Sequence, residues 1–313
     1  HKEEGEGRLK QILVVGSLNM DTVIETPHMP KCGETITGKS VEQIPGGKGA
    51  NQAYAVGKLG GKVVMLGAVG DDTKGQQLLD NLNAVNVDVS HVEKLKEVPT
   101  GQAYITVDSN GDNAIIIIAG ANGKVNKELI RENRELIRGS DIIVMQLEIP
   151  LEVVQYVKEL AVEEGKTIIL DPAPARRDIP ESLWNGIDFI KPNETEIGIL
   201  TGTGMGDRKE RICAARELIR KGVKNVIVTL GGEGCIHVTA DSEEYFPAHK
   251  VKAVDTTAAG DCFTAAFALA LSQGKNCREA ISFGQKASAI AVTRKGAQTS
   301  IPTLEEIREY GGD

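Results

Sequence analysis

Apolar and polar positions along this chain follow two periods that take turns. Gln11 to Ser17 (QILVVGS) is a short, continuous apolar run closed by Gly16, the pattern of a strand covered on both faces. Helical periodicity then opens behind Gly46 and Gly47 and runs to about Leu59. Lys62 to Val69 reads as the next strand and Thr73 to Val85 as a helix. After residue 120 the units repeat. Strands are predicted over Asp141 to Leu147, Thr167 to Leu170, Phe189 to Lys191 and Asn225 to Leu230. Helices are predicted at about Lys127 to Ile137, Leu151 to Glu164, Glu194 to Leu200, Arg208 to Lys221 and Arg278 to Val292, with Pro302 opening a last short one. This alternation predicts an α/β fold with a mostly parallel central sheet flanked by helices on both faces.

Two stretches break the alternation. Thr22 to Pro45 carries short β-rich pieces, Thr22 to Thr26 and Glu34 to Thr37, between prolines and glycines. Thr100 to Gly120 reads as a hairpin, Gln102 to Asp108 and Asn113 to Ala119, turning through Ser109-Asn110-Gly111-Asp112. The two insertions are expected to join into one small β-sheet beside the main body.

The stretch with the most chemistry is Val254 to Ala268 (VDTTAAGDCFTAAFA). Its pattern turns helical after Asp261, with Phe263, Ala266, Phe267, Ala270 and Leu271 on one face. Ala258, Ala259 and Gly260 therefore stand at a helix start. The backbone N–H groups there lack internal partners and carry partial positive charge, and such small side chains let an anion approach closely. Asp261 projects beside that anion position and is placed to take a proton from a hydroxyl that attacks phosphorus. An Asp in a first helical turn is also an ordinary terminus residue, so the rest of the chain has to decide. Polar residues do recur just past predicted strands, where open α/β sheets bind ligands: Asn19 and Asp21, Gln146 and Glu148, Asp171, Asn193 with Glu194 and Glu196, and Thr229. At Gly46-Gly47-Lys48-Gly49-Ala50-Asn51, Lys48 and Asn51 share one face of a glycine-flanked helix start.

Composition narrows the classes. The net charge is −8 and no basic run exists, which argues against nucleic acid as a partner. The five cysteines are scattered and never spaced C-x-x-C, so they read as reduced thiols of a cytoplasmic protein. No H-E-x-x-H and no apolar run of membrane-spanning length occurs. Residues 1–10 are charged and read as a tail. Gly33 to Ser40 (GETITGKS) satisfies the P-loop pattern, but Pro27 and Pro30 precede it and Pro45 follows, leaving no room for the helix a P-loop needs. Gly231, Gly232 and Gly234 make a tight turn after a strand but do not complete G-x-G-x-x-G, because position 237 is His.

Taken together, G-S-L-N-M-D at 16–21, G-G-K-G-A-N-Q-A at 46–53, Q-L-E at 146–148, D-P-A-P-A-R at 171–176, P-N-E-T-E at 192–196, D-T-T-A-A-G-D at 255–261 and T-R-K-G-A-Q at 293–298 resemble, in order and spacing, the ribokinase family of sugar and nucleoside kinases. The resemblance spans about Gln11 to Pro302. It implies a kinase core over 1–16, 46–100 and 121–313 and a β lid over 17–45 and 101–120, pairing two subunits as a homodimer. It implies ATP-dependent phosphorylation of a sugar hydroxymethyl group, for D-ribose the 5-hydroxyl, with Mg2+ and K+. Carried over by position, Asn19, Asp21, Gly47, Lys48, Asn51 and Glu148 hold the sugar, Asp261 is the base, and the Ala258 to Gly260 backbone is the anion hole. Asn193, Glu196, Thr229, Gly231, Gly232, Gly234, Gly260 and Gln285 border the nucleotide, Gln285 standing where the family has His or Asn. Asp255, Thr257, Ala291, Arg294, Gly296 and Ser300 match loops that hold a monovalent cation. A sugar- or nucleotide-sensing protein without turnover is the alternative of another class, and the intact Asp261 argues against it.

Overall fold

The computed structural model describes residues 10–203 and 206–311; the stretch read as a tail, apart from Lys10, lies outside them. Fourteen strands and ten helices follow one another among these residues. The strands are β1 (Gln11–Val15), β2 (Asn19–Glu25), β3 (Ser40–Gly46), β4 (Lys62–Leu66), β5 (Ala68–Gly70), β6 (Glu93–Leu95), β7 (Gly101–Val107) and β8 (Asn113–Ile118), then β9 (Ile142–Met145), β10 (Thr167–Leu170), β11 (Phe189–Ile190), β12 (Asn225–Thr229), β13 (Cys235–Val238) and β14 (Glu243–Phe246). The helices are α1 (Lys48–Lys58), α2 (Thr73–Asn83), α3 (Lys127–Glu132), α4 (Arg134–Gly139), α5 (Leu151–Glu163), α6 (Glu194–Thr201), α7 (Arg208–Arg220), α8 (Ala259–Ser272), α9 (Cys277–Ala291) and α10 (Leu304–Glu309).

The main sheet has eight strands in the order β14-β13-β12-β11-β10-β9-β1-β4. Pairing is parallel from β12 to β4 and antiparallel through the β12-β13-β14 edge. Because side chains alternate along a strand, each parallel strand feeds two cores. Ile12, Val14, Met65 and Val144 pack with α1, α8 and α9 on one face. Leu13, Val15, Ile143 and Leu170 pack with α5 and α7 on the other. The expected doubly covered, mostly parallel sheet is therefore present. The chain leaves β1 toward β4 on one side and lies beside β9 on the other, so the strand order reverses at β1/β9. At such a switch point the connections diverge and open a crevice at the strands' carboxyl ends. Gly16 and Ser17 lie at that end of β1, and Gln146 and Glu148 at that end of β9.

The two insertions do join, into a four-stranded sheet of order β3-β2-β7-β8. Asn19 faces Gly46 and Gly101 in register, so this sheet leaves the core where all three chains cross. Asn122 fastens the crossing: its Oδ1 accepts from the Leu18 N–H at 3.0 Å, and its amide donates to the Leu18 carbonyl at 3.1 Å and to Asn19 Oδ1 at 2.6 Å. Asp72 fastens the third chain by capping α2 and accepting from the Thr100 backbone at 2.9 Å and its hydroxyl at 2.6 Å.

Several local expectations are corrected. Glu34 to Thr37 lies outside any strand, and the pairing strand is Ser40–Gly46, which contains Pro45. Proline is tolerated there because β3 is an edge strand, with no neighbour on one side to require every N–H. Since a strand and not a helix follows Lys39, the P-loop pattern has no P-loop structure. The Lys62 to Val69 run breaks at Gly67 into β4 and β5, and the Lys127 to Ile137 helix breaks at Asn133 into α3 and α4. Pro302 precedes α10 rather than opening it; Thr303 is the cap and accepts from the Glu306 N–H. The β13-β14 hairpin and β6 were not anticipated. Among the described residues no helix is long and apolar enough to cross a membrane.

Candidate active site

Helix α8 is buried almost all round, from Asp261 to Ala270, between the sheet, α1 and α9. A helix so placed has no freedom to tilt, so its first turn is a fixed platform. Ala258 is the buried residue preceding it, and no side chain caps it. The Ala259 N–H turns back to the Thr256 carbonyl at 3.2 Å, while those of Gly260 and Asp261 have no backbone acceptor among the described residues. The Ala258 N–H likewise has no acceptor among the described residues, so of the expected Ala258 to Gly260 donors only that of Ala259 is engaged.

Asp261 is 5% exposed. Its Oδ2 accepts from Asn51 Nδ2 and its Oδ1 from Gln52 Nε2, both at 3.0 Å. Burial pushes its carboxyl above the usual range; the Lys48 ammonium opposes the shift, the Asp171 carboxylate adds to it, and the two amides oppose it. A raised pKa makes a stronger proton acceptor, provided the group is still ionised. Burial alone would lower Lys48, but Asp261, Asp171, Glu148 and Glu196 hold its ammonium above the ordinary value.

The β1/β9 crevice gathers the residues expected to hold a sugar. Glu148 Oε1 accepts from the Ser17 hydroxyl at 2.7 Å and from the Lys48 N–H at 2.8 Å, so it caps α1 from outside the helix. Gly47, with φ 89°, makes the turn that presents that N–H, in backbone space closed to most other residues. Asn19 is buried and bonded to Asn122. Asp21 has room because the residue beside it is Gly46, where a Cβ would lie 2.3 Å from Asp21 Oδ2. Burial, then the charges of Glu148 and Asp261, push Asp21 up to about 7. At neutral pH it therefore samples both a donating and an accepting form, and either suits a hydroxyl.

On the other side of Asp261 opens a cleft of about 720 Å³. All eight residues expected to border a nucleotide line it: Asn193, Glu196, Thr229, Gly231, Gly232, Gly234, Gly260 and Gln285. Lys48 and Asp261 line it too, so they stand where the cleft meets the crevice. Asn193 and Glu196 form a capping box on α6, each side chain bonded to the other's backbone N–H at 2.8 Å. Burial, then Asp171, raises the Glu196 pKa. Gln285 is turned to the carbonyls of Phe246 and Pro247, at 3.2 and 3.4 Å.

Of the residues expected around a monovalent cation, Asp255, Thr257 and Gly296 are joined by hydrogen bonds. Asp255 accepts from the Thr257 backbone and hydroxyl with Oδ1, and from the Gly296 N–H with Oδ2 at 2.9 Å, joining the two loops. Burial pushes Asp255 up, but these bonds and the Lys295 charge carry it below its ordinary value. Ala291 and Ser300 are buried, and the Arg294 guanidinium pairs with Glu306. The donors on offer are carbonyl, hydroxyl and carboxylate oxygens, which suit a hard cation.

Sequence reasoning gave no role to Ser17, Gln52, Asn122 or Lys191. Gln52 has no exposure, Asn122 is 2% exposed, and Lys191, 5% exposed, reaches Asp171 Oδ1 at 3.7 Å, beyond hydrogen-bond range. Only Gln52 carried a signal, a polar residue at a position where helical periodicity asks for an apolar one.

Comparison with known proteins gives the family. The model of the pfkB family of carbohydrate kinases matches residues 9–304. The chain is 40% identical to a ribokinase of Haemophilus influenzae over 301 residues, 96% of this chain and 98% of that one. It is also 40% identical to a deoxyribokinase of Salmonella typhi over 299 residues, with the same coverage. Among solved structures, the ribokinase of Arabidopsis thaliana complexed with ribose and ATP superposes with a TM-score of 0.90 at 33% identity, covering 96% of this chain and 98% of that one. A match over nearly the whole length, in sequence and in fold, leaves one conclusion: this chain belongs to the pfkB family of carbohydrate kinases.

Proposed function

We propose that this protein transfers the γ-phosphoryl group of ATP to the 5-hydroxyl of D-ribose, giving ribose 5-phosphate and ADP. The observation that carries the proposal is the position of Asp261. It is a buried carboxylate in the first turn of α8, with a nucleotide-sized cleft on one side and a polar crevice on the other. Asp261 takes the proton of the sugar hydroxyl as its oxygen attacks the γ-phosphorus, and the bond to the ADP oxygen breaks. The N–H groups of Ala258, Gly260 and Asp261, at the positive end of α8, and the Lys48 ammonium oppose the negative charge of the transferring group. Asn19, Asp21, Asn51 and Glu148 orient the sugar. The Arabidopsis thaliana ribokinase complexed with ribose and ATP supports both substrates.

A magnesium ion would supply positive charge that offsets the phosphates of bound ATP. Glu196 suits the water shell of such an ion, since only one of its oxygens is used in the capping box. The oxygen-rich loops joined by Asp255 suit potassium, which would fix the geometry of the first turn of α8 without touching substrate. We take the core and lid boundaries to be 1–16, 46–100 and 121–313 against 17–45 and 101–120. The lid then closes over the sugar and pairs with a second copy. β8 is an edge strand whose four isoleucines are exposed, Ile115 53%, Ile116 67%, Ile117 55% and Ile118 46%, and bound sugar could cover only one face of it. Five unpaired cysteines support a cytoplasmic setting.

The Salmonella relative favours a second reading, 2-deoxyribose as the sugar. The crevice favours ribose. Two carboxylates and two amides suit adjacent hydroxyls, and polar groups left without a matching hydroxyl disfavour the deoxygenated sugar.

Asp261→Asn removes the proton acceptor with almost no change in shape. Turnover is expected to fall by about 10²–10⁴-fold while sugar binding and melting temperature hold; a variant within tenfold of the parent would reject Asp261 as the base. In a substrate panel, kcat/KM should rank ribose ahead of 2-deoxyribose, fructose, adenosine and fructose 6-phosphate. Preference for any of the others would overturn the sugar and leave the kinase reading intact. At equal ionic strength, turnover should be faster in potassium than in a bulky organic cation, and equal rates would remove the cation site. Sedimentation at micromolar concentration should show a dimer that Ile116→Lys dissociates, whereas a monomeric parent would refute pairing through the lid.

A further inference from the structure

At the centre of the site one buried group has no part in the chemistry so far described. Helix α1 turns Ala50, Ala53 and Val56 toward the core, yet Gln52 is as fully buried as they are. Its Nε2 donates to Asp261 Oδ1 at 3.0 Å and to Asp171 Oδ2 at 2.9 Å. Its Oε1 accepts from Gln146 Nε2 at 2.7 Å. Those bonds set the amide's orientation, because turning it over would aim its oxygen at two carboxylates. Gln146 is held the same way, since its other orientation would set two amide oxygens together; its own Oε1 has no hydrogen-bond partner. Asn51 takes the second oxygen of Asp261 at 3.0 Å and is itself steadied by Gln298 at 3.1 Å.

We propose that Gln52 is a positioning residue that fixes the plane of the Asp261 carboxylate and separates it from the second buried carboxylate, Asp171. The proposal rests on the reading of Asp261 as the base. One hydrogen bond from Asn51 leaves the carboxylate free to turn about its Cβ–Cγ bond. A second, on the other oxygen, fixes that plane, and each oxygen keeps a lone pair for the sugar hydroxyl. The amide hydrogens between Asp261 and Asp171 also put the positive end of a dipole against both charges, where a nonpolar side chain would leave two like charges facing across an apolar gap.

The pH dependence follows from the groups that face Asp261. These are Lys48 from α1, Asp171 beyond β10 with Lys191 behind it, Asp21 from β2, and Cys262 on its own helix. Gln52's bond lowers the Asp261 pKa and the Asp171 charge raises it. Asp261 must be ionised to accept a proton, so activity rises with pH through its pKa. Removing Gln52's donors raises that pKa and moves the acid limb of kcat/KM to higher pH; removing the Asp171 charge moves it to lower pH.

The test is the pH profile of kcat and of each KM in the full-length protein, Gln52→Met, Asp171→Asn and the double variant, with ATP and ribose as substrates. Methionine has nearly the length and volume of glutamine and no donor. For Gln52→Met, kcat at neutral pH should fall roughly tenfold to a hundredfold, as expected for a displaced reacting group. Both KM values should stay within about threefold, and the acid limb should rise by about one pH unit. Adding Asp171→Asn should bring the limb back down, which a purely structural defect would not do. If Gln52→Met does not fold, Asp171→Asn alone, a change of one atom, should still lower the acid limb below that of the parent. An unmoved acid limb in either variant overturns the proposal. An active Asp261→Asn would instead sink the base reading, whereas a dead Asp261→Asn beside a parent-like Gln52→Met would sink only the role of Gln52.

Discussion

A carboxylate nearly removed from water is the constraint on which this structure turns. Asp261 is unfavourable where it is unless its charge is answered, since desolvation of an isolated buried ion is costly. Three elements answer it: the positive first turn of α8 beneath it, the Lys48 ammonium from the start of α1, and the amides of Asn51 and Gln52 one turn further along α1. Among the described residues, helix α1 thus supplies the side chains that stabilise Asp261 directly. Its start is in turn held by Glu148 from beyond β9 and by Ser17 from beyond β1. The site is a chain of dependencies that runs through the switch point of the sheet.

The same chain of contacts separates the cleft from the crevice, the two spaces proposed for the substrates. Lys48 and Asp261 belong to the wall of the cleft, while Glu148 and Asp21 belong to the crevice, and the β1/β9 reversal brings the two spaces to one point. The small sheet hangs from that point through Asn19, Gly46 and Gly101, in register with one another. Asn122 ties it to the core by three bonds, and Asp72 ties its third chain to α2. A sheet fastened at one end by hydrogen bonds, with its far strand exposed, is suited to move as a unit about that end.

Much of this was legible in the chain. Strands such as Thr167–Leu170 fall where the apolar run lies, because a strand covered on both faces has no polar positions to blur its ends. The Asn-Gly turn located the β7-β8 hairpin for an equally local reason. Edge and hairpin elements were harder. β3 contains Pro45, and β13-β14 has a turn over Thr239 to Ser242 with no Asn-Gly signature, so both depend on their neighbours rather than on their own pattern.

What the sequence by itself determined is the order of elements and the doubly covered sheet, and it singled out Asp261 as the residue proposed as the base. Each is written locally, as periodicity, as polar residues just past strand ends, or as small residues before Asp261. The tertiary structure alone decided which of those polar groups meet. Gln52 lies 209 residues from Asp261 and 119 from Asp171, yet it bonds to both, and Glu148 caps a helix that begins 100 residues earlier. No local pattern encodes such a pairing. Hydrogen bonds between buried groups are set by how sheet and helices pack, and packing is a property of the whole chain.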